Sequence, residues 1–253
     1  MRPPALLYGL YERRLVRELE SAPLPQHVGV MLDGNRRWAR AVGMDAAHGH
    51  RAGAQRIQDL LTWCEEAGVS VVTMWMLSTD NLHREEREVT ELLEIIAAAV
   101  QELADTGRWR LRMVGDLDLL PQDIADRLKA NESATSGSAG MHVNIAVGYG
   151  GRHEIANAFK SLLKEHIAAG HTAEEVADQL TVEHIADHLY TKGQPDPDLV
   201  IRTSGEQRLG GFLLWQSAHS EFYFCEAFWP DFRRVDFLRA LRAYSRRERR
   251  MGR

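Results

Sequence analysis

Short apolar runs punctuate the chain, and most are followed by a stretch in which apolar residues recur at helical spacing. Residues 28–32, 71–77, 111–114, 143–147, 199–202 and 222–225 read as strands. The first, second and fifth are continuous hydrophobic runs, the pattern of parallel strands covered on both faces. Between them the periodicity predicts helices over 50–67, 86–105, 121–133, 153–169, 173–179, 182–190 and 235–249. Gly68, Gly107 and Gly170 stand where three of these helices should end, and Pro121 opens one at a first-turn position. The alternation predicts a single α/β domain: a central, mostly parallel six-stranded sheet flanked by helices. Two polar stretches, 131–140 (NESATSGSAG) and 192–198 (KGQPDPD), read as loops and not as domain boundaries.

The first 26 residues form a separate pattern. MRPPALLYGLYERRLVRELE reads as an amphipathic helix with Leu6, Leu7, Leu10 and Leu15 on one side, an arm that can touch a membrane surface. It has neither the long apolar run nor the small-residue cleavage site of a signal peptide. No stretch approaches the ~20 apolar residues needed to span a bilayer. The expected division is an arm over 1–26 and a main domain over 27–253. The 31 basic and 36 acidic residues give a net charge of −5, which argues against a nucleic-acid partner. Cys64 and Cys225 form no CxxC and no disulfide framework, as expected of a reducing, cytoplasmic setting.

In open α/β sheets, ligands bind beyond the carboxyl ends of the strands. There the sequence places Asp33 to Trp38, then Ser78 to Arg84, then Asp116, then Gly148 to Arg152, then Arg202 to Arg208. Arginine is favoured where phosphate oxygens are gripped in a plane, and glycine lets backbone N–H groups approach an anion. A lone aspartate in such company makes electrostatic sense when Mg²⁺ joins it to phosphate oxygens. Phosphorylated or diphosphate substrates with Mg²⁺ are the expectation. Taken singly, each residue has a plainer role: Asp33 or Ser78–Asn81 as helix caps, the arginines as solvated or paired surface charges, Gly148–Gly151 as a tight turn. The recurrence of one polar type at several strand ends favours the joint reading.

Common signatures are missing. There is no GxxxxGK[ST], no GxGxxG, no HExxH, no metal-spaced Cys/His cluster, no GxSxG elbow and no Asp-Asp pair. The last speaks against all-helical prenyl synthases, whose metal sites are Asp-rich.

MLDGNRRWA, STDN, RLRMVGD, NIAVGYGGRHEI, DLVIRTSGEQRLGGFLLWQSAHSEFYF, WPDF and the terminal RRERRMG occur in this order over residues 27–253. With these blocks the chain resembles the cis-prenyltransferase family, typified by undecaprenyl diphosphate synthase. The resemblance implies a homodimer that condenses isopentenyl diphosphate with an allylic diphosphate, with Mg²⁺, to create a cis double bond. It implies that Asp33 and Asn81 are catalytic, Asp33 through Mg²⁺ and the diphosphate and Asn81 through proton removal. His50 is implied to lie near Asn81, and Gly34, Asn35, Arg36, Arg37 and Trp38 match the cradle of the allylic substrate. Ser78, Thr79, Asp80 and Arg84 match a second binding block, and Arg202 and Arg208 an arginine pair gripping isopentenyl diphosphate. Glu221 matches a second metal-linked carboxylate. The basic run 246–250 is implied to help the partner subunit's site.

The chain departs from the family's pattern at four places. Arg36 stands for a glycine, Ala46 for an arginine, Leu82 for an aromatic and Gly210 for a serine. Each departure touches a substrate contact; the hydroxyl missing at Gly210 is worth about 1 kcal/mol. Met76 and Leu77 form the expected floor of the chain site, which resembles the short-chain members making Z-farnesyl diphosphate from geranyl diphosphate. A long polyprenyl product is the alternative. A slot between the second strand and the helix carrying Ala97, Ala98 and Ala99 is the expected chain channel; close helix packing explains these alanines equally well. Other readings are a non-catalytic subunit of the same family, a nucleotide-binding phosphohydrolase and a head-to-middle synthase. The presence together of Asp33, Asn81, Arg202, Arg208 and Glu221 disfavours the first, and Asn81 the last.

Overall fold

The computed structural model describes residues 5–247, with side chains from residue 8 onward. In chain order the elements are α1 (Ala5–Leu19), β1 (His27–Met31), α2 (Asn35–Ala41), α3 (Ala46–Glu66), β2 (Val71–Ser78), α4 (Glu86–Asp105), β3 (Arg110–Val114), α5 (Gln122–Ala134), β4 (His142–Tyr149), α6 (Gly151–Ala168), α7 (Ala173–Gln179), α8 (Val182–Ala186), β5 (Leu199–Arg202), β6 (Glu221–Phe224) and α9 (Arg234–Ser245). Among the described residues six strands form one sheet, in the order β3-β4-β2-β1-β5-β6. Every pairing is parallel.

The strand expectations stand within a residue or two, and α4 and α7 have the predicted bounds. Gly68, Gly107 and Gly170 have positive φ, as helix-terminating glycines do. Five expectations need correction, among them the last helix, α9, which ends at Ser245 and not at 249. Helix α3 begins at Ala46, not 50, because the Asp45 carboxylate caps it by accepting from the His48 N–H at 2.8 Å. α5 continues through Ala134 into a segment read as loop, and α8 stops at Ala186 instead of 190. α2, a single short helix directly after β1, was not expected.

Alternate residues of the strands face two cores. Val28, Val30, Val72, Met74, Val143, Ile145, Leu199 and Ile201 belong to the larger core with residues of α1, α3, α4, α5 and α9. The opposite face buries Met31, Ala146, Val200, Phe212 and Leu213, with Trp75 packed against them. The N-terminal helix is part of the larger core. Leu15 and Leu19 are buried there, whereas Leu10 is 58% exposed, so Leu10 and Leu15 do not share a face. The side chains of Leu6 and Leu7 lie outside the described residues. Helix α1 packs along α9, with Arg233 over the Tyr8 ring and Arg239 over the Tyr11 ring.

At the amino end of the second face runs a buried polar ladder. His27 Nδ1 donates to the Pro195 carbonyl at 2.7 Å, and its Nε2 accepts from the Thr73 hydroxyl at 2.8 Å. Asn144 Nδ2 donates to the same hydroxyl at 2.9 Å and to Gln194 at 2.6 Å. Burial lowers the His27 pKa, and the Pro195 bond and the Asp198 charge only partly oppose it. The unfolded chain therefore takes up this proton more readily. The contribution of His27 is constant above pH ~6.5 and falls below it, by up to about 1.4 kcal/mol per pH unit until the folded pKa is reached. Urea unfolding at pH 7.5, 6 and 5 should show His27→Gln less stable throughout but with a shallower acid dependence than wild type. Parallel curves would remove His27 from the explanation.

Candidate active site

Strand β1 ends at Met31, and the chain turns sharply through Leu32 and Asp33 into α2. Gly34 makes the turn with φ +104°; a Cβ there would lie 2.7 Å from the Phe228 ring. Gly34 also caps α2, so Asp33 is not the helix cap. Thr203, just past β5, fixes the Asp33 backbone from the other side: its hydroxyl oxygen accepts from the Asp33 N–H at 2.9 Å and lies 2.7 Å from the Asp33 carbonyl, to which it donates.

The Asp33 carboxylate is thereby presented to two guanidiniums. Its Oδ2 accepts from Arg202 Nη2 at 2.9 Å, and its Oδ1 from Arg37 Nη2 at 3.2 Å. Burial alone would raise the Asp33 pKa. The hydrogen bond and charge of Arg202 and the charge of Arg37 outweigh it, leaving the carboxyl below its usual range and ionised at neutral pH. Arg37 also donates to the Ser204 hydroxyl at 2.6 Å and to Glu206 at 2.9 Å. Ser204 holds its place with φ +78°, a strained conformation for a residue with a side chain. Arg202 is almost fully buried and donates Nη1 to the Arg208 carbonyl. Arg208 itself is largely exposed and pairs with Glu206 at 2.8 Å.

These groups surround a cavity of about 550 Å³ at the carboxyl ends of β1, β2 and β5. Of the residues singled out in the sequence, Asp33, Gly34, Asn35, Arg36, Arg37, His50, Ser78, Asp80, Asn81, Arg84, Arg202 and Arg208 line it. The Ser78 hydroxyl accepts from the Asn81 N–H at 3.1 Å and so shapes the short turn that carries Asn81. His50 is pushed down to about 4, by burial first and then by the charges of Arg84 and Arg36, so its ring is neutral. Asn35 Oδ1, His50 Nε2 and Arg202 Nε are buried without a partner in the protein.

Three expected members are placed elsewhere. Trp38 stacks on His48, ring centroids 5.8 Å apart and planes 5° from parallel, away from the cavity lining. Thr79 turns toward β4, its N–H donating to the Tyr149 carbonyl at 3.0 Å. Glu221 begins β6 in register with Leu199, which pairs with Val28, so it lies at the amino end of the sheet. Asp33 is five residues further along, roughly 16 Å at strand rise. Glu221 pairs instead with Arg247. Within one chain the two carboxylates are not brought together.

The floor is made by an irregularity. Trp75 pairs with Ala146 and Leu77 with Val147, so Met76 is an extra residue in β2, a bulge. After the bulge Leu77 shares the larger core's face with Met76. Trp75, Met76 and Leu77 consequently all line the cavity, together with Leu92. The expected alanine channel is not seen: Ala97 and Ala99 are buried and Ala98 is exposed, none lining the cavity, in a helix packed against α3 and α5. Glu206, Thr203, Ser204 and Arg40 were read only as members of the polar rim, without roles of their own. The only signal for them was their place beside residues already singled out.

A family model described as "Putative undecaprenyl diphosphate synthase" matches residues 31–252. The chain is 62% identical over 247 residues to (2Z,6E)-farnesyl diphosphate synthase of Thermobifida fusca (strain YX), covering 97% of each chain. It is 56% identical over 257 residues to short-chain Z-isoprenyl diphosphate synthase of Mycobacterium leprae (strain TN), covering 99% of this chain and 98% of the other. Among solved structures, lavandulyl diphosphate synthase from Lavandula x intermedia in complex with dimethylallyl diphosphate superposes with a TM-score of 0.82. The two chains are 33% identical, over 89% of this chain and 97% of that one.

Proposed function

The chain belongs to the undecaprenyl diphosphate synthase family, and from that premise we propose that it condenses isopentenyl diphosphate with geranyl diphosphate to Z-farnesyl diphosphate. One observation carries the reading: six guanidiniums and the ionised Asp33 converge on a cavity that is also lined by Trp75, Met76, Leu77 and Leu92. Relatives at 54–62% identity named for farnesyl or short-chain Z-isoprenyl products support the length.

The reaction breaks the allylic C1–O bond and joins C1 to the terminal alkene carbon of isopentenyl diphosphate. Loss of a proton from C2 of the isopentenyl unit then sets the new double bond. The products are a prenyl diphosphate five carbons longer, inorganic diphosphate and a proton. Arg37, Arg36 and Arg84 face the departing diphosphate, where fixed guanidiniums stabilise the charge that grows on its oxygens. Arg202 and Arg208 take the isopentenyl diphosphate. Asn81, held by Ser78, orients the isopentenyl unit for loss of its proton. Trp75, Met76 and Leu77 exclude water and receive the hydrocarbon tail.

Among the described residues no group of three or more His, Cys, Asp or Glu side chains could hold a metal ion. Asp33, a carboxylate between two guanidiniums, fits a Mg²⁺ that arrives on phosphate oxygens, since Mg²⁺ is held by one or two carboxylates plus substrate phosphates. Asp33 would hold it. When bound, the metal neutralises diphosphate charge and so assists C–O cleavage. The active form in this reading is a cytoplasmic homodimer, in keeping with two buried, free cysteines. Residues 248–250 of the basic C-terminal run lie outside the described residues. No helix among the described residues is long and apolar enough to cross a membrane.

The test is incubation with labelled isopentenyl diphosphate, Mg²⁺ and dimethylallyl, geranyl or farnesyl diphosphate, followed by product sizing. A fifteen-carbon Z product from geranyl diphosphate is expected. Polyprenyl products would overturn the short chain; phosphate release from nucleotides without prenyl transfer would overturn the reaction. Met76→Ala with Leu77→Ala removes about six methylene equivalents from the floor. The variant should shift the main product to twenty carbons or more, because a larger void accepts another isoprene unit. An unchanged product would show that these side chains are not the floor.

A further inference from the structure

Behind the wall that His50 and Leu92 give the active-site cavity lies a second cavity, of about 290 Å³. Asp45, Glu85, Glu88 and Glu91 line it with one arginine, Arg87, so its lining is predominantly acidic. Glu88 belongs to this second cavity, whereas Arg36 and Arg84 belong to the first. The Glu88 carboxylate nevertheless reaches through the wall. Its Oε1 accepts from Arg84 Nη1 at 3.1 Å and lies 3.5 Å from Arg36 Nη1. Two guanidiniums on the α4 side of the active site are thus held by one carboxylate oxygen whose owner stands outside it. The pair is crowded: after burial, the Arg36 charge is the next cause depressing the Arg84 pKa, and Glu88 opposes both.

We propose that Glu88 is a resident, displaceable counter-anion that keeps Arg36 and Arg84 together in the empty site and yields them to a diphosphate. The inference rests on the reading of the cavity as a diphosphate site. Its physical basis is a comparison of partners. A partly exposed carboxylate shared between two arginines is a weak ion pair. A diphosphate brings more charge and can form several charge-assisted bonds to the same two forks. The acidic lining behind Glu88 makes the arginines its better neighbours while the site is empty, so it competes with an incoming anion. A residue that only aligns the arginines would have the opposite effect on affinity, because its loss would disorder the anion contacts. The sign of the change therefore separates the two roles.

Calorimetric titration of the full-length protein with inorganic diphosphate, for wild type, Glu88→Gln and Glu91→Gln, decides the matter. Glu91 lines the same second cavity but pairs with Arg87, away from the active-site arginines. Glu88→Gln is expected to bind inorganic diphosphate about fivefold more tightly, roughly 1 kcal/mol at 1.4 kcal/mol per tenfold, with Glu91→Gln close to wild type. Equal or weaker binding by Glu88→Gln, with wild type still binding, overturns this inference alone. Equal tightening by Glu91→Gln overturns it too, since the effect would then be the general field of the helix. A wild type that binds no diphosphate overturns the reading of the site and this inference with it.

Discussion

Asp33→Asn is expected to turn over about a thousandfold more slowly than wild type, at the upper end of what one preorganised charge contributes. The substitution keeps the size of the side chain and the backbone anchor to Thr203. It removes the one negative charge facing both Arg37 and Arg202, and with it the group that would retain the metal beside the diphosphate. The loss should fall on kcat, because the arginines that bind ground-state diphosphates remain. Steady-state incorporation of labelled isopentenyl diphosphate at saturating starter measures it. Because the Arg202 and Arg37 charges keep Asp33 ionised well into acid, the acid limb of the wild-type pH profile should not belong to it. A kcat within tenfold of wild type would refute the assignment of Asp33 to the chemical step.

Arg202→Met should raise the KM for isopentenyl diphosphate about a hundredfold, equivalent to the upper part of the 1.5–3 kcal/mol range of a charged hydrogen bond. It should leave the KM for the allylic partner within a few-fold. Arg202 links Asp33 to the backbone of Arg208, so its fork organises both contacts at once. Methionine of similar length fills the space but donates nothing. Asp33 would keep only Arg37, and because that carboxylate is partly solvated, the stability cost should be about 1–2 kcal/mol, below that of a deeply buried pair. Arg202→Lys separates charge from geometry: a point charge cannot reach the Asp33 carboxylate and the Arg208 carbonyl together. Recovery of the wild-type KM by lysine would show that charge alone suffices there.

The sheet was legible because its strands are buried on both faces and so appear as unbroken apolar runs, with helices between them. Asp33, Arg202 and Arg208 were legible for a related reason: in a parallel sheet every strand points its carboxyl end the same way, so polar residues after those ends converge. Glu221 was singled out by resemblance to a motif and not by strand polarity. Standing at the front of β6, it faces the other end of the sheet, and strand polarity alone would have placed it there. Trp38 and Thr79 sit among cavity residues in sequence, yet a helical turn and a strand end rotate them away. The Arg37 contact of Glu206 and the Arg36 contact of Glu88 could not be read, because each joins residues 169 or 52 positions apart in sequence; only the Arg84–Glu88 pair, four residues apart, is local. The alanines of α4 show the converse, since small residues permit either a void or close packing and only the fold selects between them.

The extra residue at Met76 has a consequence for how product size can vary. A regular strand sends neighbouring side chains to opposite sides, so a single substitution changes one wall of a void at a time. Here backbone geometry assigns adjacent positions to the same wall. Trimming either side chain deepens the receptacle without touching hydrogen-bonded pairing or the arginine rim above it. Hydrocarbon length can therefore drift among relatives by point changes while the head-group chemistry stays fixed, whereas deleting one position would reset the pleat over the last residues of the strand, Leu77 and Ser78.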